Sequence, residues 1–182
     1  MALHEQITEI SPAGAKDAQT VDGSGRELFA EIENVEIARI NPIADSRGSL
    51  TPFLSLESSF WGEPVVYAYS VMIRPGVIKG WGMHRLQADR YFVPACRMRV
   101  VLYDGRTDSP TFERFQEIWF SEASAGLVRI PPGVWHADHN WGDLDATLVN
   151  FPTRPYDPLD PDKYRIDPHG HEIAFDWSLR DG

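Results

Sequence analysis

Two histidines separated by about fifty residues carry the chemistry this chain could perform. His84 follows Lys79-Gly80-Trp81-Gly82-Met83 and precedes Asp89-Arg90-Tyr91-Phe92; His136 follows Pro131-Pro132-Gly133-Val134-Trp135 and precedes Asn140. Imidazole titrates near neutral pH, so it can take a proton from a carbon acid or offer a lone pair to a metal. Together with Asp89, the pair also matches a two-histidine, one-carboxylate ligand set with open positions. Either chemistry requires the chain to bring the two segments into one pocket. Pro131-Pro132-Gly133 helps, because proline fixes φ and glycine accepts positive φ, which ends one strand and starts another at His136. Asn140 reads as closing the following turn. Cys96 has no neighbouring base and reads as a small buried residue rather than a nucleophile.

Cationic residues near these segments could hold an anionic ligand. Arg47, Arg74, Lys79, Arg85 and Arg90 are the candidates, because a few converging guanidinium groups can bind a phosphate locally. The net charge of -10 argues against non-specific binding to nucleic acid or to an anionic membrane surface. Trp81 and Trp135 lie within the two segments and could stack on a base or a sugar face, or simply pack. No apolar run reaches the length needed to span a bilayer, and the first residues lack a secretory pattern. The single cysteine excludes an internal disulfide, which suits a cytoplasmic location.

The elements that must position these residues read as strands. Short β-type runs alternate with turns from Ile32 onward: 35–40, 65–73, 97–103, 117–120, 126–130 and 146–151. Turns fall at Asp45-Ser46-Arg47-Gly48, Arg74-Pro75-Gly76, Asp104-Gly105 and Trp141-Gly142-Asp143. With 182 residues, 42% of them hydrophobic, the chain suffices for one core. The expected fold is all-β, an antiparallel sandwich or barrel. Alternation along Arg97 to Tyr103 puts Met98, Val100 and Leu102 on a packed face and Arg97, Arg99 and Tyr103 on a wetter one. Residues 1–27 read as a flexible arm and 28–182 as a single domain. Its Pro- and Asp-rich C-terminal tail packs over the barrel, with a helical turn near Asp160–Tyr164.

The two histidine segments resemble the paired motifs of the cupin superfamily, which implies a jelly-roll β-barrel with the histidines in its pocket. The second motif fits at its core as Pro-x-Gly, two residues, His, three residues, Asn. The first departs: where a metal-binding cupin has His-x-His, this chain has Gly82-Met83-His84, with Asp89 for the usual Glu and Cys96 for the usual Gly. The surrounding words are similar to those of the dTDP-4-dehydrorhamnose 3,5-epimerases and their sugar-modifying relatives. These words are Asp45-Ser46-Arg47-Gly48, Val77-Ile78-Lys79-Gly80, Tyr103-Asp104-Gly105-Arg106, Ser109-Pro110-Thr111-Phe112, and Ile130-Pro131-Pro132-Gly133 with His136. Tyr156 and Asp167-Pro168 match its C-terminal words in a looser register.

That resemblance implies a metal-free enzyme acting on a nucleotide-linked 4-keto-6-deoxy sugar. A histidine base oriented by an aspartate removes the proton beside the ketone, a cation holds the enolate, and a tyrosine returns the proton from the opposite face. Carried onto this chain, the catalytic set is His84, His136, Lys79, Tyr156 and Asp167; the substrate-binding set is Arg47, Arg74, Trp81, Arg90 and Asn150. Ungapped alignment places the family's catalytic histidine on Gly82, and a two-residue slip gives the role to His84 with strand facing preserved. The expected tyrosine is missing near Leu148 to Asn150, so Tyr156 would replace it. The family's lysine has no clear match, Arg90 being the nearest basic residue. A cupin with altered chemistry, such as a dehydratase, cyclase or other isomerase, is an alternative. So is a ligand- or metal-binding cupin with a divalent metal on His84, Asp89 and His136. The resemblance also implies a homodimer that exchanges N-terminal strands, here the segment Leu28 to Ile40.

Overall fold

The structure, a computed structural model, describes residues 19–23, 31–55 and 57–179; most of the expected N-terminal arm lies outside them. Among the described residues, twelve strands build the fold in chain order. They are β1 (Glu36–Ile40), β2 (Ile43–Asp45), β3 (Gly48–Leu50), β4 (Tyr69–Ile73), β5 (Ile78–Met83), β6 (Asp89–Val93), β7 (Met98–Asp104), β8 (Phe115–Phe120), β9 (Ala125–Ile130), β10 (Val134–Asn140), β11 (Ala146–Asn150) and β12 (Tyr164–Arg165). One five-stranded sheet runs β1-β9-β6-β11-β4, a second runs β12-β5-β10-β7-β8, and β2-β3 is a separate hairpin. Every pairing is antiparallel.

Period-two alternation explains how the sheets stack. Tyr91, Val93, Val128, Ile130 and Leu148 from the first sheet meet Met98, Val100, Leu102, Ile118 and Phe120 from the second in one buried cluster. Both outer faces are also covered. Phe60 and Trp61 close over Phe92, Leu127 and Phe151 on one side. Ile173, with Phe175 and Trp177, closes over Trp81, Val101 and Ala137 on the other.

That second cover corrects two expectations. The face of β7 bearing Arg99 and Tyr103 is not wet, because the C-terminal tail packs on it and leaves Arg99 only 2% exposed. The tail has no helical turn at 160–164 either. Tyr164 and Arg165 pair with Met83 and Gly82 as an edge strand, and Trp81 and Ile166 exchange both main-chain hydrogen bonds. Pro161 and the open edge of β5 favour extension over a helix here. In the segment proposed for strand exchange, residues 28–30 lie outside the described residues, and β1 pairs with β9 of its own chain.

Candidate active site

Alternation that sends Tyr91 and Val93 into the core also sends Asp89 inward from β6. The same parity turns His136 and Asp138 inward from β10, Tyr69 from β4 and Asn150 from β11. The apolar core therefore gives way to a polar cluster between the sheets. The turn before His136 is built as expected, with Gly133 at φ +84° and its N–H donating to the His84 carbonyl at 2.8 Å. Asn140 closes the following turn, donating to the carbonyls of Ile73 and Leu144 and accepting from Gly142 N.

The two motif histidines come together. Their rings stack at 5.7 Å between centroids with planes 20° apart. Both Nε2 atoms approach Asp89 Oδ2, at 3.4 Å from His84 and 3.5 Å from His136. His84 Nδ1 donates to the main-chain carbonyl of Asp162, which leaves Nε2 as the ring nitrogen facing the pocket. The Asp162 carboxylate in turn accepts from the backbone N–H groups of Arg85, Leu86 and Gln87, so the tail fixes the loop after His84.

Burial and charge divide these groups into acids and bases. Burial opposes ionisation of Asp89, but the approach of the His84 and His136 rings favours the carboxylate more and holds its carboxyl well below the usual range. Burial lowers His136 to about 4 despite the attraction of Asp89, so this imidazole is neutral. Burial raises Asp138 to about 7, with Lys163 and Lys79 pulling the other way. Tyr69 rises to about 12 through burial and the nearby Asp89 charge, so its hydroxyl keeps its proton. Its oxygen accepts from Asn150 Nδ2 at 2.8 Å.

Two adjoining clefts of about 520 and 430 Å³ open onto this cluster and share Tyr69, Lys79, Lys163 and Arg165. His84 lines the first cleft; His136 and Asp138 line the second. An anionic ligand thus meets cations at the mouth and a base, a neutral acid and a carboxylate within. The donor atoms of His84, Asp89 and His136 all lie within 4.8 Å of one another, and neither His84 Nε2 nor Asp89 Oδ2 makes a hydrogen bond. A divalent ion fits that donor set. The Lys163 ammonium beside His136 would oppose it electrostatically.

The remaining residues expected from the sequence fall in several places. Lys79 is exposed and lines both clefts, and Tyr156 stands on the rim of the first. Arg74 and Arg47 are exposed and line neither cleft; Arg47 pairs with Asp45 within its own hairpin. Two assignments need correction. Arg90 is fully buried and donates to the carbonyls of Phe151, Trp61, Glu63 and Pro64, so it ties loops together and is not open to a ligand. The Trp81 indole is fully buried among Phe115, Phe175 and Trp177, with no face free for stacking. Asp167 lines the second cleft and accepts from His169 N to close its own turn, while the Asp162 carbonyl is the group that accepts from His84 Nδ1. Asn150 is buried behind Tyr69 and accepts from Arg90 N, so it supports the pocket wall.

Sequence reasoning did not single out Tyr69, Asp138, Asp162 or Lys163. Asp138 was within reach, since strand parity with His136 sends it inward. Tyr69 lies directly across from the end of β11, where the sequence lacks the expected tyrosine, because Asn150 and Tyr69 are cross-strand partners.

No family model matches the chain. The probable low-salt glycan biosynthesis epimerase of Haloferax volcanii is 36% identical over 149 residues, covering 81% of this chain and 95% of that protein. The spore coat polysaccharide biosynthesis protein SpsL of Bacillus subtilis is 31% identical over 147 residues, covering 81% of this chain and 97% of that protein. A solved dTDP sugar isomerase from Desulfovibrio desulfuricans G20 matches with a TM-score of 0.76 and 28% identity, covering 85% of this chain and 96% of that one. A 4-keto-6-deoxy sugar epimerase from the novobiocin cluster of Streptomyces spheroides shares the fold, with a TM-score of 0.71 at 24% identity over 81% of this chain and 76% of that one. By relatives that it matches over nearly their full length, and by a barrel that gathers both histidine motifs into one pocket, the chain belongs to the cupin-fold family of dTDP-sugar epimerases and isomerases.

Proposed function

We propose that the chain epimerises a nucleotide-linked 4-keto-6-deoxy sugar by proton transfer at carbon beside the ketone, in the synthesis of a glycan. The observation that carries this reading is one cleft lined both by a histidine whose Nδ1 is already committed to a carbonyl and by a protonated tyrosine. His84 Nε2 takes the α-proton, and its electron pair moves into the carbon–carbon bond to give the enolate. Asp89 is the counter-charge for the imidazolium that forms. Tyr69 O–H returns a proton to carbon, which inverts the centre if it reaches the opposite face. Lys79 and Arg165 at the mouth suit a diphosphate.

Proton NMR in D2O with dTDP-4-keto-6-deoxyglucose tests this directly. Enzyme-dependent loss of the C3 or C5 proton signal is the expected result; no exchange at either carbon would sink the reading. One specific observation favours a second reading, a divalent ion held by His84, Asp89 and His136 that would polarise the ketone. Exchange that survives dialysis against EDTA excludes it, and exchange lost on chelation and restored by a divalent ion would establish it.

A further inference from the structure

The first motif lacks its expected histidine at position 82, and the structure shows what stands there. A Cβ built on Gly82 would lie 3.2 Å from His136 Nε2 and 3.3 Å from Lys163 Nζ, with Lys163 Cε at 3.5 Å. The space over Gly82 is therefore occupied by the end of a lysine from the C-terminal tail, set against a catalytic-motif imidazole. This placement is built, not incidental. Tyr164 and Arg165 pair with Met83 and Gly82, Ile166 and Trp81 exchange main-chain hydrogen bonds, and Asp162 holds both His84 and the loop after it. The chain on both sides of Lys163 is thus fastened to β5, which fixes where the ammonium enters.

We infer that Lys163 is the cation that holds the oxyanion of the deprotonated sugar, reaching the pocket through the space that glycine at position 82 leaves open. The inference rests on the epimerase reading. When His84 removes the α-proton, the C–H electron pair enters the carbon–carbon bond and the carbonyl π pair moves onto O4. The charge on O4 needs a donor fixed in advance at a site shielded from water. Lys163 meets that need: it lines both clefts and is only partly exposed. Arg90 cannot, because its guanidinium is spent on backbone carbonyls. Lys79 is exposed at the mouth and suits the diphosphate. Asp89 and Asp138 attract the Lys163 charge, while burial, Arg165 and Lys79 oppose it, so burial is the larger influence and lowers its pKa. Small size at position 82 then has a purpose: any larger side chain would compete with the lysine for the same space.

The experiment compares C–H exchange in D2O for the parent, Lys163→Met and Gly82→Leu, with dTDP binding measured by calorimetry. Lys163→Met should lower the exchange rate on the order of 10²- to 10³-fold, with dTDP affinity changed only a few-fold. Gly82→Leu should reproduce that loss with the lysine still in the chain. Ethylammonium should restore part of the exchange to Lys163→Ala, which a purely structural lysine would not allow. Exchange at the parental rate in Lys163→Met would overturn the inference while leaving the epimerase reading in place. Absence of exchange in the parent itself would overturn both.

Discussion

His84 Nε2 and Asp89 Oδ2 are 3.4 Å apart in a pocket that leaves the histidine 7% and the aspartate 2% exposed. Because the other ring nitrogen is bound to the Asp162 carbonyl, this nitrogen alone is left for chemistry. His84→Gln keeps a polar side chain of similar reach but removes the base. We expect the exchange rate to fall on the order of 10²- to 10⁴-fold with dTDP affinity nearly unchanged, since the mouth cations are untouched. Parallel rate and calorimetric measurements check this. A parental rate in the variant would remove His84 from the mechanism.

Asp138 and His136, on one strand, pull stability in opposite directions as pH changes. Burial lowers His136 from its ordinary 6.5 to about 4, so its contribution is intact above 6.5 and is lost as pH falls toward 4. Burial raises Asp138 from 3.8 to about 7, so its contribution is intact below 3.8 and is lost as pH rises toward 7. Between pH 4 and 6.5 the two slopes largely cancel. Asp138→Asn deletes the falling slope and keeps a polar side chain. Its melting temperature should therefore climb more steeply from pH 4 to 6.5 than that of the parent, as scanning calorimetry at several pH values would show. An equal slope in both proteins would mean that Asp138 does not hold its proton in the folded state.

Alternation and turn chemistry made the β-fold legible, because a period of two and residues such as Pro131-Pro132-Gly133 act locally. The resemblance to paired cupin motifs, not the alternation, is what placed His84 and His136 in one pocket. What could not be read was anything set by where the tail lands. Trp81 sits in a motif that resembles a ligand-binding word, yet Phe175 and Trp177 from the far end of the chain cover it. Asp162 and Lys163 went unread because only the edge strand of Tyr164 and Arg165 delivers them to the site. Arg90 was misread because one sequence position does not reveal a cage of backbone carbonyls assembled from residues 61–64 and 151–152.

That cage makes Arg90 a stability residue. Its guanidinium meets the carbonyls of Trp61 at 2.6 Å, Phe151 at 2.7 Å and Glu63 at 2.7 Å, and lies 5.5 Å from the Trp61 ring centre. Arg90→Met fills much of the volume but leaves those carbonyls without donors, at a cost of about 3 kcal/mol. Arg90→Lys should recover little, because a single ammonium cannot span a planar fork of acceptors. Urea denaturation gives the difference. A loss below about 1 kcal/mol would show that water replaces the guanidinium without penalty.

Lys79 and Arg165 present the opposite case, cations that line both clefts with their charges near solvent. Exposed charges act through a screened field, so their contribution to binding a diphosphate should depend on ionic strength. Lys79→Met should weaken dTDP binding roughly tenfold at low salt, in line with the loss of one charge-assisted contact. At high salt the gap between parent and variant should narrow, because screening already weakens the parent. Arg47→Ala is the informative contrast, because its guanidinium is paired with Asp45 in the β2–β3 hairpin and lines neither cleft. If the groove of a single chain is the whole nucleotide site, Arg47→Ala leaves affinity unchanged. If Arg47→Ala weakens binding as much as Lys79→Met does, the hairpin must reach the nucleotide from elsewhere, and the diphosphate is held by more than the cations of this groove.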